Sequence, residues 1–323
     1  MTAAQAPGAA TPAMPRTIFG YAWATSGRHQ AMLALLAAAI FLTTMGPLEL
    51  QRRIVNSALA SGDAVRVAWL CAAYGGLVLA AGGIKLCFNV YRGWLAETAL
   101  RDLRRRCYEH GVAGADEGGI GQEGIGMSII LAEAEPVGGF VGMSFSEPLM
   151  QVGTLATVFG YMVVLEPGIA LLSIALFSLQ ALFIPRLQRM INRRAAERIG
   201  VMREISAAMI GDLGPGPTPD GRRRMFHARA DRVFALNMQI HRRKFLMNFL
   251  MNLVHHLGII GVLLVGGWAI VEQRIEVGTV VAFMTGLRQV NDPWGDLVNY
   301  MREATISQVK YRLIASTIEA AAR

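Results

Sequence analysis

Charge is scarce in this chain: only 17% of its 323 residues are Asp, Glu, Lys or Arg, against 53% hydrophobic ones, and its mean hydropathy is +0.39. A soluble domain carries roughly 25% charged residues, so the ordinary soluble class is excluded and a membrane protein is expected. Cysteine is scarcer still, with three in all. Cys71 and Cys87 stand about 24 Å apart along one expected helix, too far to bridge. Cys107 falls in a charged segment, and no Cys/His spacing matches a zinc site, so neither a disulfide framework nor a metal centre is expected. No Gly-x-x-x-x-Gly-Lys-Ser/Thr phosphate loop occurs, which excludes ATP binding by that route. Catalytic constellations are lacking too. Glu133 and Glu135, two positions apart, fall on different faces of a helix, and no nucleophile stands at readable spacing from a base. By itself the chain is expected to be no enzyme and to bind no cofactor.

What is present is a series of apolar runs. Residues 1–16 are Ala/Pro/Gly-rich, lack the basic start and apolar core of a signal peptide, and read as a disordered tail. Thr17 to Trp23 then suits a short interfacial helix, with Phe19, Tyr21 and Trp23 in the headgroup region. Runs near 31–48, 67–90, 148–165, 168–184 and 245–271 each have the roughly 17–25 residues that a helical crossing needs. A sixth, 277–300, is apolar only to Leu287, after which Arg288, Asn291, Asp292 and Asp296 interrupt it, so five spans plus a re-entrant segment also fit. The expected fold is therefore all-α and polytopic, with six long transmembrane helices over 17–323.

Loop charge orients these spans. Arg92, Arg101, Arg104, Arg105 and Arg106 crowd the long segment 91–147, and a larger set runs from Arg186 to Lys244 in the segment 185–244. The opposite loops hold Arg52, Arg53, Arg66 and Arg274, so the long segments and both termini are expected in the cytoplasm of a bacterial-type inner (plasma) membrane. The +8 net charge has the same explanation, and nucleic acid is not an expected partner. Each long segment reads as helix, Gly-rich break, helix. Val67 to Glu109 as one helix would be about 65 Å long against a hydrocarbon core of about 30 Å, leaving several turns in the cytosol. Its end falls in the glycine-rich 110–126; the second break lies at Gly211 to Gly221, before Arg222 restarts a helix.

Two helical faces inside the spans are polar. Asn248, Asn252 and His255 recur at i, i+4 and i+7 on the fifth run, either as a substrate-contacting wall or as interhelical hydrogen bonds. On the sixth, Arg288, Asp292, Asp296 and Asn299 share one side of a helix loosened by Pro293, with Asn291 beside them. Arg288 and Asp292 stand at i and i+4, where they can neutralise one another; cavity lining and a structural ion pair are both open readings. Lys85 reads as a snorkelling side chain or a substrate counter-charge. Gly75, Gly76, Gly82 and Gly83 make one face of the second span small enough for a close helix neighbour.

Several motifs resemble the transmembrane domain of ABC exporters. Leu103-Arg104, then Cys107-Tyr108 and His110, is similar to that family's pattern at the foot of its second span. Gly124, Ser128 and Glu133 keep the spacing of its Gly, Ser, acidic motif, and Gly278 to Phe283 with Pro293 looks like its sixth span. The resemblance covers about Thr17 to Arg312; Ile129 stands where the family usually has Arg, and Gln273 where it has Gly. It implies a translocation subunit of an ATP-driven exporter with alternating access, and a second transmembrane half, expected to be an identical copy. ATP and Mg would be bound by a partner nucleotide-binding domain, either a separate subunit or a part missing after Arg323. Ala115, Asp116 and Glu117 at the first break, and Thr218, Asp220 and Arg222 at the second, are the implied contacts with that ATPase. The alternative is a non-transporting membrane scaffold or regulator on the same fold; secondary transporters and channels rarely need matched cytoplasmic hairpins.

Overall fold

A computed structural model describes residues 15–60, 62–113, 134–210 and 219–321. Among them the secondary structure is helical, with no strand. Along the chain run α1 (Ile18–Thr43), α2 (Met45–Ala60), α3 (Ala64–Ala113), α4 (residues 134–143), α5 (Ser146–Leu165), α6 (Pro167–Ile210), α7 (Pro219–Val271) and α8 (Val277–Ala321). Most of the tail expected over 1–16 lies outside the described residues.

Five helical stretches are long and apolar enough to cross a membrane: Ile18–Leu59, Ala64–Glu109, Ser146–Leu165, Pro167–Met202 and Arg223–Val271. α8 is not among them, because the charges from Arg288 onward dilute its apolar half. The long helices exceed any crossing. α3 has 50 residues and α7 has 53, or about 75 and 80 Å at 1.5 Å per residue.

Local chemistry sets the helix ends. Thr17 accepts a hydrogen bond from the Gly20 amide at 3.1 Å, and Asp63 accepts from the amides of Val65 and Arg66, so α1 and α3 begin on side-chain caps. Pro167 opens α6 one residue after α5 ends; its missing N–H costs nothing in a first turn. Between α7 and α8, Gln273 adopts φ 57°, and its amide and that of Arg274 bond back to Ile270 and Ala269. This is the left-handed helix-ending position that glycine fills most cheaply.

The chain divides into two compact units, Met1–Tyr161 with Gln289–Arg323, and Met162–Arg288. The first unit holds an apolar core in which Ile18, Tyr21, Leu103, Cys107, Val137, Phe140, Tyr300 and Tyr311 are buried together. Leu103 and Cys107, from the motif at the foot of α3, are thus core residues, while Tyr108 is exposed. The expected interfacial anchor is corrected here. Tyr21 donates to Asp102 at 2.9 Å and Phe19 packs on Phe140 and Phe145, so the start of α1 docks on protein, leaving only Trp23 of the three rings exposed. Ser26, at φ −142° and ψ 24°, kinks α1 between that docked start and its apolar run.

The second unit is an antiparallel α6–α7 hairpin. Contacts march in opposite directions along it: Gly266 lies near Ile169, Gly261 on Leu172, Arg198 donates to Asn237 at 3.4 Å, and Glu204 faces Arg229 at 3.6 Å. Pro185 interrupts α6, and next to the carbonyl it leaves free, that of Leu182 accepts from the Arg186 guanidinium at 2.7 Å. The small face of α3 is open: a Cβ at Gly75, Gly76, Gly82 or Gly83 would meet nothing within 4 Å among the described residues.

Adjacent glycines on α4 give a matched test. A Cβ at Gly138 would stand 2.7 Å from the Leu100 Cβ and 2.9 Å from its Cα, whereas at Gly139 it meets open space. Gly138→Ala is expected to lower stability by about 1–3 kcal/mol through forced separation of α3 and α4, and Gly139→Ala to be neutral or stabilising, as read by thermal unfolding in detergent. Gln273→Gly is expected to raise stability by about 1 kcal/mol in the same measurement, since it relieves the left-handed strain.

Candidate functional site

The polar side of α8 is open. Arg288, Asp292, Asp296 and Asn299 are all exposed in the chain, each on the same flank of the helix. Arg288 and Asp292 do not form the ion pair that their spacing permits; neither has a salt-bridge partner among the described residues. Asn291 turns inward, and its Oδ1 is buried without a hydrogen-bond donor, as is Oε1 of Gln289 two residues earlier. Both lie beside Pro293, which removes an amide donor from the same stretch.

The α7 stripe is likewise uncovered. Asn248 and Asn252 are exposed and have no hydrogen-bond partner among the described residues, so the interhelical bonding reading is not realised within this chain. His255 is half-buried, with its ring 5.5 Å from that of His256. Polar groups exposed on an otherwise apolar span are costly against lipid, and their natural surroundings are water or another chain.

One network ties the α8 stripe to the rest of its unit. Arg92 on α3 pairs with Glu147 at the start of α5 at 2.5 Å, and their side chains are 28% and 12% exposed. Gln151, one turn further along α5, donates to Glu147 Oε1 at 2.8 Å and to Asp296 Oδ2 at 3.1 Å. Asp296 also lies within electrostatic reach of Asp292, Lys85 and Arg92. Lys85 is thus an opposing positive charge near this cluster. Arg92, Glu147 and Gln151 were not singled out by the sequence pattern. The available signal was Glu147 and Gln151 at i and i+4 at the entrance of an apolar run, which identifies one polar face and not its partners.

A second landmark sits where the apolar runs of α1 and α3 end. His29 Nδ1 and the Tyr91 hydroxyl are 2.6 Å apart, and the Trp94 ring stacks on Tyr91 at 5.7 Å. These aromatic residues place the two run ends at one level, as expected for an interfacial belt.

Of the coupling residues, Ala115, Asp116, Glu117 and Thr218 lie outside the described residues. Asp220 and Arg222 fall in the first turn of α7, which begins at Pro219 rather than at the expected Arg222. Pro at the first helical position and an acidic residue beside it both favour a start there. Among the described residues no group of His, Cys, Asp and Glu is arranged to hold a metal ion.

Single cysteines at Asp292, Asp296 and Asn299, in the full chain with Cys71, Cys87 and Cys107 replaced by Ala, test the polar face. In membranes, they are expected to react with a water-soluble maleimide about tenfold or more faster than a cysteine at the exposed, apolar Leu264, because a charged face avoids hydrocarbon. Equal, slow labelling at all four positions would place the face against lipid. No family model matches this chain, and no curated protein matches it.

Proposed function

We propose that the chain is the membrane-spanning translocation subunit of an ATP-driven exporter, with α8 as a sixth span and both termini in the cytoplasm of an inner (plasma) membrane. The observation that carries this reading is the length of the paired helices. α6 and α7 stay in contact from Ile169 and Gly266 out to Glu204 and Arg229, well past their apolar runs. A hairpin held by packing at one end and by ion pairs at the other is a stiff lever between bilayer and cytosol. Its tip ends next to Thr218, Asp220 and Arg222, and α3 leads towards Ala115, Asp116 and Glu117, the two places where the exporter resemblance puts ATPase contacts.

The partners follow from what the chain leaves uncovered. Ile199, Met202, Phe226 and Phe234 are exposed, at positions beyond the apolar runs 168–184 and 245–271. Together with the open glycine face of α3 and the polar face of α8, they call for a second transmembrane half, which an identical copy would supply. ATP and Mg would be held by a nucleotide-binding domain, separate or fused, because this sequence has no phosphate loop. Closure of two such domains would push on the cytoplasmic tips, and the long helices would carry that motion into the membrane, alternating access to the substrate.

The test is reconstitution. The purified chain is expected to hydrolyse no ATP; with its cognate ATPase present, Mg-dependent hydrolysis is expected to appear, and cysteines at Asp116 and Asp220 are expected to crosslink to that ATPase. Saturable hydrolysis by the chain alone would overturn the division of labour. A chain that binds no ATPase and changes no ATPase rate would instead be a scaffold on this architecture.

A further inference from the structure

The network on the membrane side of the first unit has an unusual economy. A single amide nitrogen, that of Gln151, donates to two carboxylates, Glu147 at 2.8 Å and Asp296 at 3.1 Å. Gln151 is 5% exposed, so water does not compete for its two N–H groups. Glu147 is answered in addition by Arg92 at 2.5 Å, whereas Asp296 has no ion-pair partner among the described residues. Asp296 is instead set among like charges, with Glu147 and Asp292 acting on it from α5 and from its own helix, and Lys85 and Arg92 opposing them from α3.

These facts make the two links of the chain unequal. The Arg92–Glu147–Gln151 link, between α3 and α5, is a charge-assisted pair with a neutral donor added. The Gln151–Asp296 link, between α5 and α8, is one hydrogen bond that works against carboxylate repulsion. When it is made, the buried amide has both donors satisfied; when it is broken, a buried N–H is left without a partner. The link is thus directional and easily opened, but not free to drift.

We propose that the Gln151–Asp296 hydrogen bond is a conformational latch that pins α8 to the α3–α5 pair in the state seen here and opens when α8 moves. The proposal deepens the transport reading, since alternating access supplies the movement, but its test does not require transport. Spin labels at cysteines replacing Val152 on α5 and Met301 on α8, both exposed, report the separation of the two helices in the full chain, reconstituted in lipid nanodiscs.

The unmodified network is expected to give one short distance. Gln151→Leu removes both donors, and Gln151→Glu adds a third carboxylate; each is expected to raise the population at longer distance about tenfold or more, in line with the loss of a hydrogen bond to a charged group. Asp296→Asn keeps an acceptor oxygen and removes the repulsion, so it is expected to retain the short distance. Unchanged distances in the Gln151 variants, or opening by Asp296→Asn, would overturn the latch. If one Gln151 variant fails to fold, as judged by gel filtration, the other and Asp296→Asn still decide. Failure of the transport reading would show instead as absent ATPase coupling with these distances unaltered.

Discussion

A charged group inside a bilayer has to be answered by another charge, by hydrogen-bond donors or by water, because hydrocarbon offers none of these. With α8 as the proposed sixth span, that condition falls most heavily on it. Its first half, up to Leu287, is buried or half-buried after Val277, and its second half carries Arg288, Asp292, Asp296 and Asn299 on an exposed flank. One of these four, Asp296, is answered from within the unit by Gln151. The other three have no hydrogen-bond or salt-bridge partner among the described residues, and this is the physical ground for proposing that the chain is part of a larger assembly.

The same condition explains why the rest of the helices look as they do. The outward flanks of the apolar runs keep side chains such as Leu79, Val164 and Leu264 exposed, which lipid covers at no cost. Beyond the runs the chemistry reverses. Hairpin helices α6 and α7 meet through Arg198 with Asn237 and Glu204 with Arg229, and the foot of α3 meets the start of α1 through Tyr21, Asp102 and Arg106. Polar contacts of this kind, single hydrogen bonds and an exposed ion pair, are each worth about 1 kcal/mol, so they set register, while the apolar core around Leu103, Phe140 and Tyr311 holds the elements of the first unit together.

How much of this was legible in the sequence depended on the range of the interaction. Apolar runs are local, so the five long stretches could be read from neighbouring residues, whereas Gln273 was marked only by the exporter resemblance and emerges with a positive φ. Arg92 and Glu147 are 55 residues apart, and Gln151 and Asp296 are 145 apart, so no periodicity connects them. The glycine face of α3 has a related limit: helical spacing shows that a face is small, not which neighbour covers it. Of the two readings open for Arg288 and Asp292, the ion pair is not made, because i, i+4 spacing permits contact on a helix and does not compel two solvated side chains to make it.

Two features of α8, one turn apart, act together. Pro293 cannot donate to the Gln289 carbonyl, and the side-chain oxygens of Gln289 and Asn291 are buried without donors, so the helix is under-bonded just before Asp296. Helices bend where their hydrogen-bond ladder is interrupted. Asp296, on the far side of that interruption, is held by Gln151 to a helix that is itself tied to α3 through Glu147 and Arg92. A helix that is weak at one turn and pinned at the next has its bend localised: on the latch proposal, strain applied from its C-terminal end is met by the Gln151 bond before it reaches the loosened turn at Pro293.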